Sequence, residues 1–197
     1  SYQAKPTKAA ASAFLTLALE SNWDALRQSE QYLKYIATRP RAERLGSHGL
    51  FGDSDGVSLE KAMEELEQYT GNVWTHILSL KREDAARLGF DNAAAWRNLI
   101  RAHRNEIAAA MKIPPADFRW YAAFHDEGEH PHVHMMAWSV KPGQAYLSKE
   151  GIRQIKSRLT NDIFRDEMLH LYEQKSASRD ELVRQARRAM LELVQAM

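Results

Sequence analysis

The apolar positions along the chain change period several times, and each change marks an element. Ala13-Phe-Leu-Thr-Leu-Ala-Leu-Glu20 is a nearly continuous apolar run, the pattern of a strand central in a sheet. Over residues 24–37 the period becomes helical: Leu26, Leu33, Ile36 and Ala37 form one stripe, with Asn22 or Asp24 available as the cap and Pro40 as the stop. Gln28, Tyr32, Tyr35 and Arg39 gather on another side of the same helix, so a face that does not pack offers two phenols, an amide and a guanidinium. A short strand at 49–51 and a helix over 58–70 that buries Leu59, Met63 and Leu66 follow. Asn72–Lys81 then alternates strictly, with Val73, Thr75, Ile77 and Ser79 on one face and Trp74, His76, Leu78 and Leu80 on the other.

The second half of the chain is read in the same way. A short helix near 82–88 precedes a long one, capped by Asn92 and running to about 112, whose stripe is Trp96, Leu99, Ile100, His103, Ile107 and Met111. His103 lies on that stripe and reads as a core or boundary histidine. Two strands, 117–124 and 132–140, sit close enough to pair as a hairpin. From Ser148 an amphipathic helix carries Ile152, Ile155, Leu159, Ile163 and Phe164; a break is expected near Lys175–Ala177, where the capping box Ser178-x-x-Glu181 would open a last helix. The order of strands and long helical connections predicts an α+β domain in which helices cover a sheet. Residues 1–11 read as a flexible arm, 12–147 as the folded core and 148–197 as C-terminal helices packed on the core or extending from it. A chain ending on a helix that still shows an apolar stripe reads as the N-terminal part of something longer.

Composition narrows the class only a little. The 197 residues suffice for one well-packed domain, and 44% hydrophobic with 27% charged residues is ordinary for a water-soluble protein. There is no cysteine, hence no disulfide and no thiolate nucleophile, which fits a cytoplasmic protein; no apolar run is long enough to span a membrane. The formal net charge of +1 does not by itself suggest DNA. Basic residues are nonetheless clustered, at Arg39, Arg41 and Arg44, at Arg153, Lys156 and Arg158, and from Arg179 to Arg188, and a DNA-binding face can coexist with a balanced total. Asp53-x-Asp55-Gly56 has part of the pattern of a calcium loop but lacks one acidic ligand, and reads as a turn.

The chemistry concentrates in His125-Asp-Glu-Gly-Glu-His130-Pro-His132-Val-His134, where four of the eight histidines fall within ten residues. Residues two apart on a strand share a face, so His132 and His134 present two imidazoles side by side with Val133 buried behind them. His125, at the end of the neighbouring strand, is the candidate third; His130 competes with it by strand parity. Neutral imidazole is the commonest side-chain metal ligand, and three on rigid backbone leave coordination positions free for substrate oxygens. Asp126 and Glu127 lie beside His125 and are candidates for orienting an imidazole.

The spacing His125-x6-His132-Val133-His134 resembles the third motif of the HUH endonucleases, and the string HPHVHM after H-D-E is similar to the conjugative relaxases of the MOBP class. Tyr35-Ile-Ala-Thr-Arg-Pro-Arg-Ala-Glu-Arg-Leu-Gly resembles the first motif of that class, with one extra alanine between Ile36 and Thr38. The resemblance implies Tyr35 as nucleophile with Tyr32 as the alternate, and Ser79, from the second motif, as a DNA contact; Arg39, one turn along the same helix face, is the candidate for assisting the phenol or clamping the phosphate. It further implies a central antiparallel sheet with the histidine strands in the middle and the tyrosine helix against it. The implied cofactor is Mg2+ or Mn2+, held by His125, His132 and His134, and the implied partners are single-stranded or supercoiled DNA at a transfer origin, relaxosome accessory proteins and the coupling protein of a type IV secretion system. The implied reaction is strand-specific nicking and rejoining through a 5′-phosphotyrosine. A replication-initiator or transposase nuclease of the HUH type would usually carry its tyrosine after the histidines, and a non-catalytic single-strand-binding module would use its tyrosines only to stack on bases.

Overall fold

Two neighbouring strands, Phe118–His125 and His132–Ser139, buried along most of their length on both faces, fix the centre of the molecule. The computed structural model describes residues 16–19 and 29–195. Its sheet is built from β1 (Thr16–Leu19), β2 (Leu50–Gly52), β3 (Val73–Ser79), β4 (Phe118–His125) and β5 (His132–Ser139), in the order β1-β3-β5-β4-β2, antiparallel throughout. The histidine strand β5 is therefore the middle one, with β4 beside it. One expectation fails here: β1 is an edge strand. A continuous apolar run reports coverage of both faces of a strand, and says nothing of how many neighbours it has.

Helices cover both faces. On one side α3 (Arg82–Leu88), α4 (Ala93–Ala102), α5 (Arg104–Ala110) and α6 (Lys149–Ile163) pack on Phe118, Trp120, Ala122, Phe124, Val133, Met135 and Ala137. On the other, α1 (Ser29–Thr38) and α2 (Leu59–Glu67) bring Leu33, Ile36, Ala37, Ala62 and Leu66 against Ala123, Met136 and Trp138. Each fully buried Leu, Ile or Phe contributes roughly 1.5–3 kcal/mol of transfer free energy, so both faces of β4 and β5 are strongly anchored. The cap expected at Asn92 forms, its side chain accepting from Ala95 N at 2.9 Å, and Ser148, where a helix was expected to begin, caps that helix by accepting from Gly151 N at 3.1 Å.

Two helix boundaries depart from expectation. The stripe over 92–112 is two helices, α4 and α5, bent at His103, whose Nε2 is tied to Asp162 of α6 at 2.8 Å. No residue there forces a stop; the tertiary contact sets the bend. The break expected near Lys175–Ala177 is absent, and α7 runs unbroken over Arg165–Gln195. That stretch contains neither proline nor glycine, so the Ser178-x-x-Glu181 pattern lies inside a continuing helix. The interruption falls at Phe164, which is drawn fully into the core between α6 and α7. Every residue from Tyr172 to Met190 is exposed. The flexible arm expected over 1–11 and the start of the helix expected over 24–37 lie outside the described residues.

The Asp53–Gly56 segment is a turn, as read. Asp53 accepts from Trp120 Nε1 and Arg104 Nε, each at 2.7 Å, and Asp55 from Arg101 Nη1 at 3.0 Å. These bonds fasten the end of β2 to α4 and α5.

Candidate active site

The register of β4 against β5 sets His125 directly opposite His132, and the two-residue repeat puts His134 on the same face, opposite Ala123. The three rings close up on one another, with centroids 5.3, 4.8 and 4.9 Å apart, and one ligand nitrogen from each lies within 4.8 Å of the others. His130 is exposed outside the strand and is not among the three clustered nitrogens. Val133 is fully buried behind the triad.

The hydrogen bonds of the far ring nitrogens decide where the lone pairs point. His125 Nε2 is 2.8 Å from the carbonyl of Ile36, and His132 Nδ1 is 3.0 Å from that of His130. A carbonyl only accepts, so both of these nitrogens carry the proton, and the lone pairs sit on His125 Nδ1 and His132 Nε2. His125 Nδ1 is buried and has no hydrogen-bond partner among the described residues. His134 Nε2 lies 3.1 Å from His132 Nε2, and its Nδ1 is 2.9 Å from the hydroxyl of Tyr32. A buried nitrogen left without a partner beside two further imidazole nitrogens is what a cation would satisfy; the donor set fits a divalent metal.

Two of the three imidazoles are held against protonation. Burial pushes His134 down to about 3, helped by the positive charge that His125, His132 and Arg39 would bring to bear. His125 is lowered chiefly by burial, against the stabilising carbonyl of Ile36. Imidazoles that resist protonation are available as ligands throughout the neutral range.

Helix α1 supplies the other side. Its stripe of Leu33, Ile36 and Ala37 is fully buried against the sheet, which turns Tyr32, Tyr35 and Arg39 into a row along the adjacent face. Tyr32 is 8% exposed and reaches His134, whereas Tyr35 is 50% exposed. The two rings are 6.3 Å apart, the Arg39 guanidinium lies 5.4 Å from the Tyr35 ring centre, and Arg39 Nη2 meets Glu127 Oε1 at 3.0 Å. The row thus touches the triad at one end and the β4–β5 turn at the other, with the exposed phenol between.

The remaining expected residues surround this row. Ser79 is in register with His132 across β3 and β5. Arg41 and Arg44 are exposed in the loop after α1, which is stitched to the triad strand by the Ala42–His125 bridge and by bonds from Glu43 N to Phe124 O and from Asp126 N to Arg41 O. Gly49 closes that loop; a Cβ there would lie 2.8 Å from the carbonyl of Glu43. Asp126 and Glu127 are not the groups that orient the imidazoles: they pair with Arg82 and Arg39. The orienting positions are held by Ile36 O, His130 O and Tyr32, two of them backbone atoms that a sequence motif does not display. Arg82 was also missed. Its Nε donates to Gly128 O at 2.8 Å and its Nη1 to Asp126 at 2.5 Å, clamping the turn from 44 residues away, a separation at which no local pattern signals contact.

Compared with known families, residues 2–197 match the family model of the MobL relaxases. The chain belongs to the MobL relaxase family. This MobL relaxase is accordingly a DNA-nicking enzyme acting at a transfer origin, with an α+β fold in which helices flank an antiparallel sheet. No curated protein and no solved structure matches the chain. Among the described residues no helix is long and apolar enough to cross a membrane. The histidine triad suits the divalent metal that relaxases generally use.

Proposed function

We propose that this MobL relaxase cuts and reseals one DNA strand by HUH endonuclease chemistry, in the manner of the MOBP relaxases that its motif strings resemble. His125, His132 and His134 would hold the metal, Mg2+ or Mn2+ in the cell. Bound there, such an ion supplies positive charge that withdraws electron density from a non-bridging oxygen of the scissile phosphate.

Tyr35 is the nucleophile in this reading. Its phenol must lose a proton before attack, and the Arg39 guanidinium lies 5.4 Å from the centre of its ring. The phenolate oxygen bonds to phosphorus, the P–O3′ bond breaks, and the departing 3′ oxygen takes a proton. The 5′ phosphate stays joined to Tyr35. Because a phosphodiester is exchanged for a phosphodiester, the free 3′ hydroxyl can reverse the step and reseal the strand. Arg39 also meets the requirements for a phosphate clamp, while Ser79, Arg41 and Arg44 would carry the DNA on either side. The protein would act in the cytoplasm on single-stranded or supercoiled DNA, together with relaxosome accessory proteins and a type IV coupling protein, and pass to the recipient with the strand.

The observation that carries this reading is the row Tyr32–Tyr35–Arg39, anchored on His134 at one end and on Glu127 at the other, with an exposed phenol in the middle. The test is to incubate the protein and Mn2+ with a labelled oligonucleotide bearing the cognate origin. A covalent adduct that Tyr35→Phe abolishes supports the proposal. Binding with no adduct from the unaltered chain would instead make the protein a single-strand-binding module.

A further inference from the structure

Of the three orienting contacts on the triad, two come from backbone carbonyls and one from a side chain. Only the third can be removed by substitution. Ile36 O and Tyr32 both belong to α1, so the helix that carries Tyr35 also aims two of the three imidazoles.

The placement of Tyr32 argues against its being a second nucleophile. Its hydroxyl is bound to Nδ1 of His134, whereas the nitrogen of His134 that faces the other imidazoles is Nε2. The imidazole ring therefore stands between this hydroxyl and the point where the three ligand nitrogens converge. Tyr32 is also almost wholly covered, which leaves no path for a phosphate to its oxygen.

The hydroxyl has a property that a carbonyl lacks, since it both donates and accepts. With no cation between them, His134 Nε2 and His132 Nε2 at 3.1 Å need a proton on one side, and His132 already carries its proton on Nδ1. His134 then keeps its proton on Nε2, and Tyr32 O–H donates to Nδ1. For His134 to offer a lone pair at Nε2, its proton must move to Nδ1, and the Tyr32 oxygen becomes the acceptor. The hydrogen bond survives in both arrangements by rotation of one O–H.

We propose that Tyr32 is a positioning residue rather than an alternate nucleophile: its hydroxyl holds the His134 ring and serves either tautomer, so that His134 can become a ligand without losing a buried hydrogen bond. This rests on the metal-site reading above. Partners of this kind typically affect metal affinity by 10- to 100-fold.

The test uses the full 197-residue chain and Mn2+ alone, titrated by calorimetry. The unaltered protein and Tyr35→Phe should bind one ion with equal affinity, His134→Ala should lose most of it, and Tyr32→Phe should bind about ten-fold or more weakly. Adduct formation by Tyr32→Phe should fall at limiting Mn2+ and recover when Mn2+ is raised, whereas Tyr35→Phe should stay inactive at any concentration. Undiminished Mn2+ affinity in Tyr32→Phe, or failure of raised Mn2+ to restore its adduct, would overturn the role of Tyr32 and leave the metal site standing. Absence of Mn2+ binding by the unaltered chain would remove the metal reading and this one with it. Should Tyr32→Phe not fold, nitrogen NMR of the histidines in the unaltered protein decides. A His134 that carries its proton on Nε2 when free and on Nδ1 when loaded with diamagnetic Zn2+ bears out the proposal, and a His134 that keeps one tautomer in both states refutes it.

Discussion

Arg39 Nη2 lies 3.0 Å from Glu127 Oε1 while the same guanidinium rests against the ring of Tyr35. One side chain therefore links the tyrosine helix to the turn that joins the two histidine strands, β4 and β5. A planar guanidinium can stack on a ring and pair with a carboxylate at once, which an ammonium cannot do as well. Arg39→Ala should lower the single-turnover rate of nicking by about 100-fold, the scale of losing one positioned electrostatic donor, with Arg39→Lys recovering only part of it. An unchanged rate in Arg39→Ala would exclude it from the reaction.

Loading the triad should stabilise the fold as well as permit the reaction. An ion at about 100 times its dissociation constant adds roughly 2.7 kcal/mol to the folded state. Thermal melts with Mn2+ should shift upward, return to the metal-free value with a chelator, and show no shift in His134→Ala. Because Ile36 O and Tyr32 both come from α1, amide exchange in residues 29–38 should slow when Mn2+ is present.

A buried histidine outside the triad, His76, also contributes to acid stability. His76 is 2% exposed, on the face of β3 away from the triad, and burial pushes its pKa down to about 4. The unfolded chain takes up its proton near ~6.5 and the folded chain does not until about 4, so folding is undiminished above the first value and weakens as pH falls toward the second. The loss is on the order of 3 kcal/mol. Denaturant titrations at pH 7 and pH 4.5 should show a smaller difference in His76→Leu than in the unaltered protein; equal differences would mean that His76 is not the sensor.

The Asp53 turn is structural. Asp53→Ala would leave the indole N–H of Trp120, itself 2% exposed, without its acceptor and Arg104 without its carboxylate. A loss of about 2–3 kcal/mol in stability is expected, the cost of orphaning such groups, with Mn2+ affinity at the triad unaltered. Loss of Mn2+ binding in this variant would place a metal ligand in the turn.

Much of this molecule was written in local patterns. The alternation of β3, β4 and β5, the helical stripe that turns Tyr32, Tyr35 and Arg39 to one face, and the two-residue repeat that pairs His132 with His134 all follow from the 2.0 and 3.6 periods of the backbone, which a sequence displays directly. What a period cannot carry is any relation between distant segments. The edge position of β1, the bend at His103, the break at Phe164 and the unbroken run of α7 were decided by packing and by contacts such as His103 to Asp162. The site divides in the same way. The sequence supplied the three imidazoles and the phenols. Which of the two phenols is buried against His134 and which stands open, and that Glu127 and Asp126 serve arginines instead of imidazoles, depended on laying α1 across β4 and β5, because hydrogen bonds form between atoms that the fold brings within 3 Å and not between residues that neighbour one another in a string.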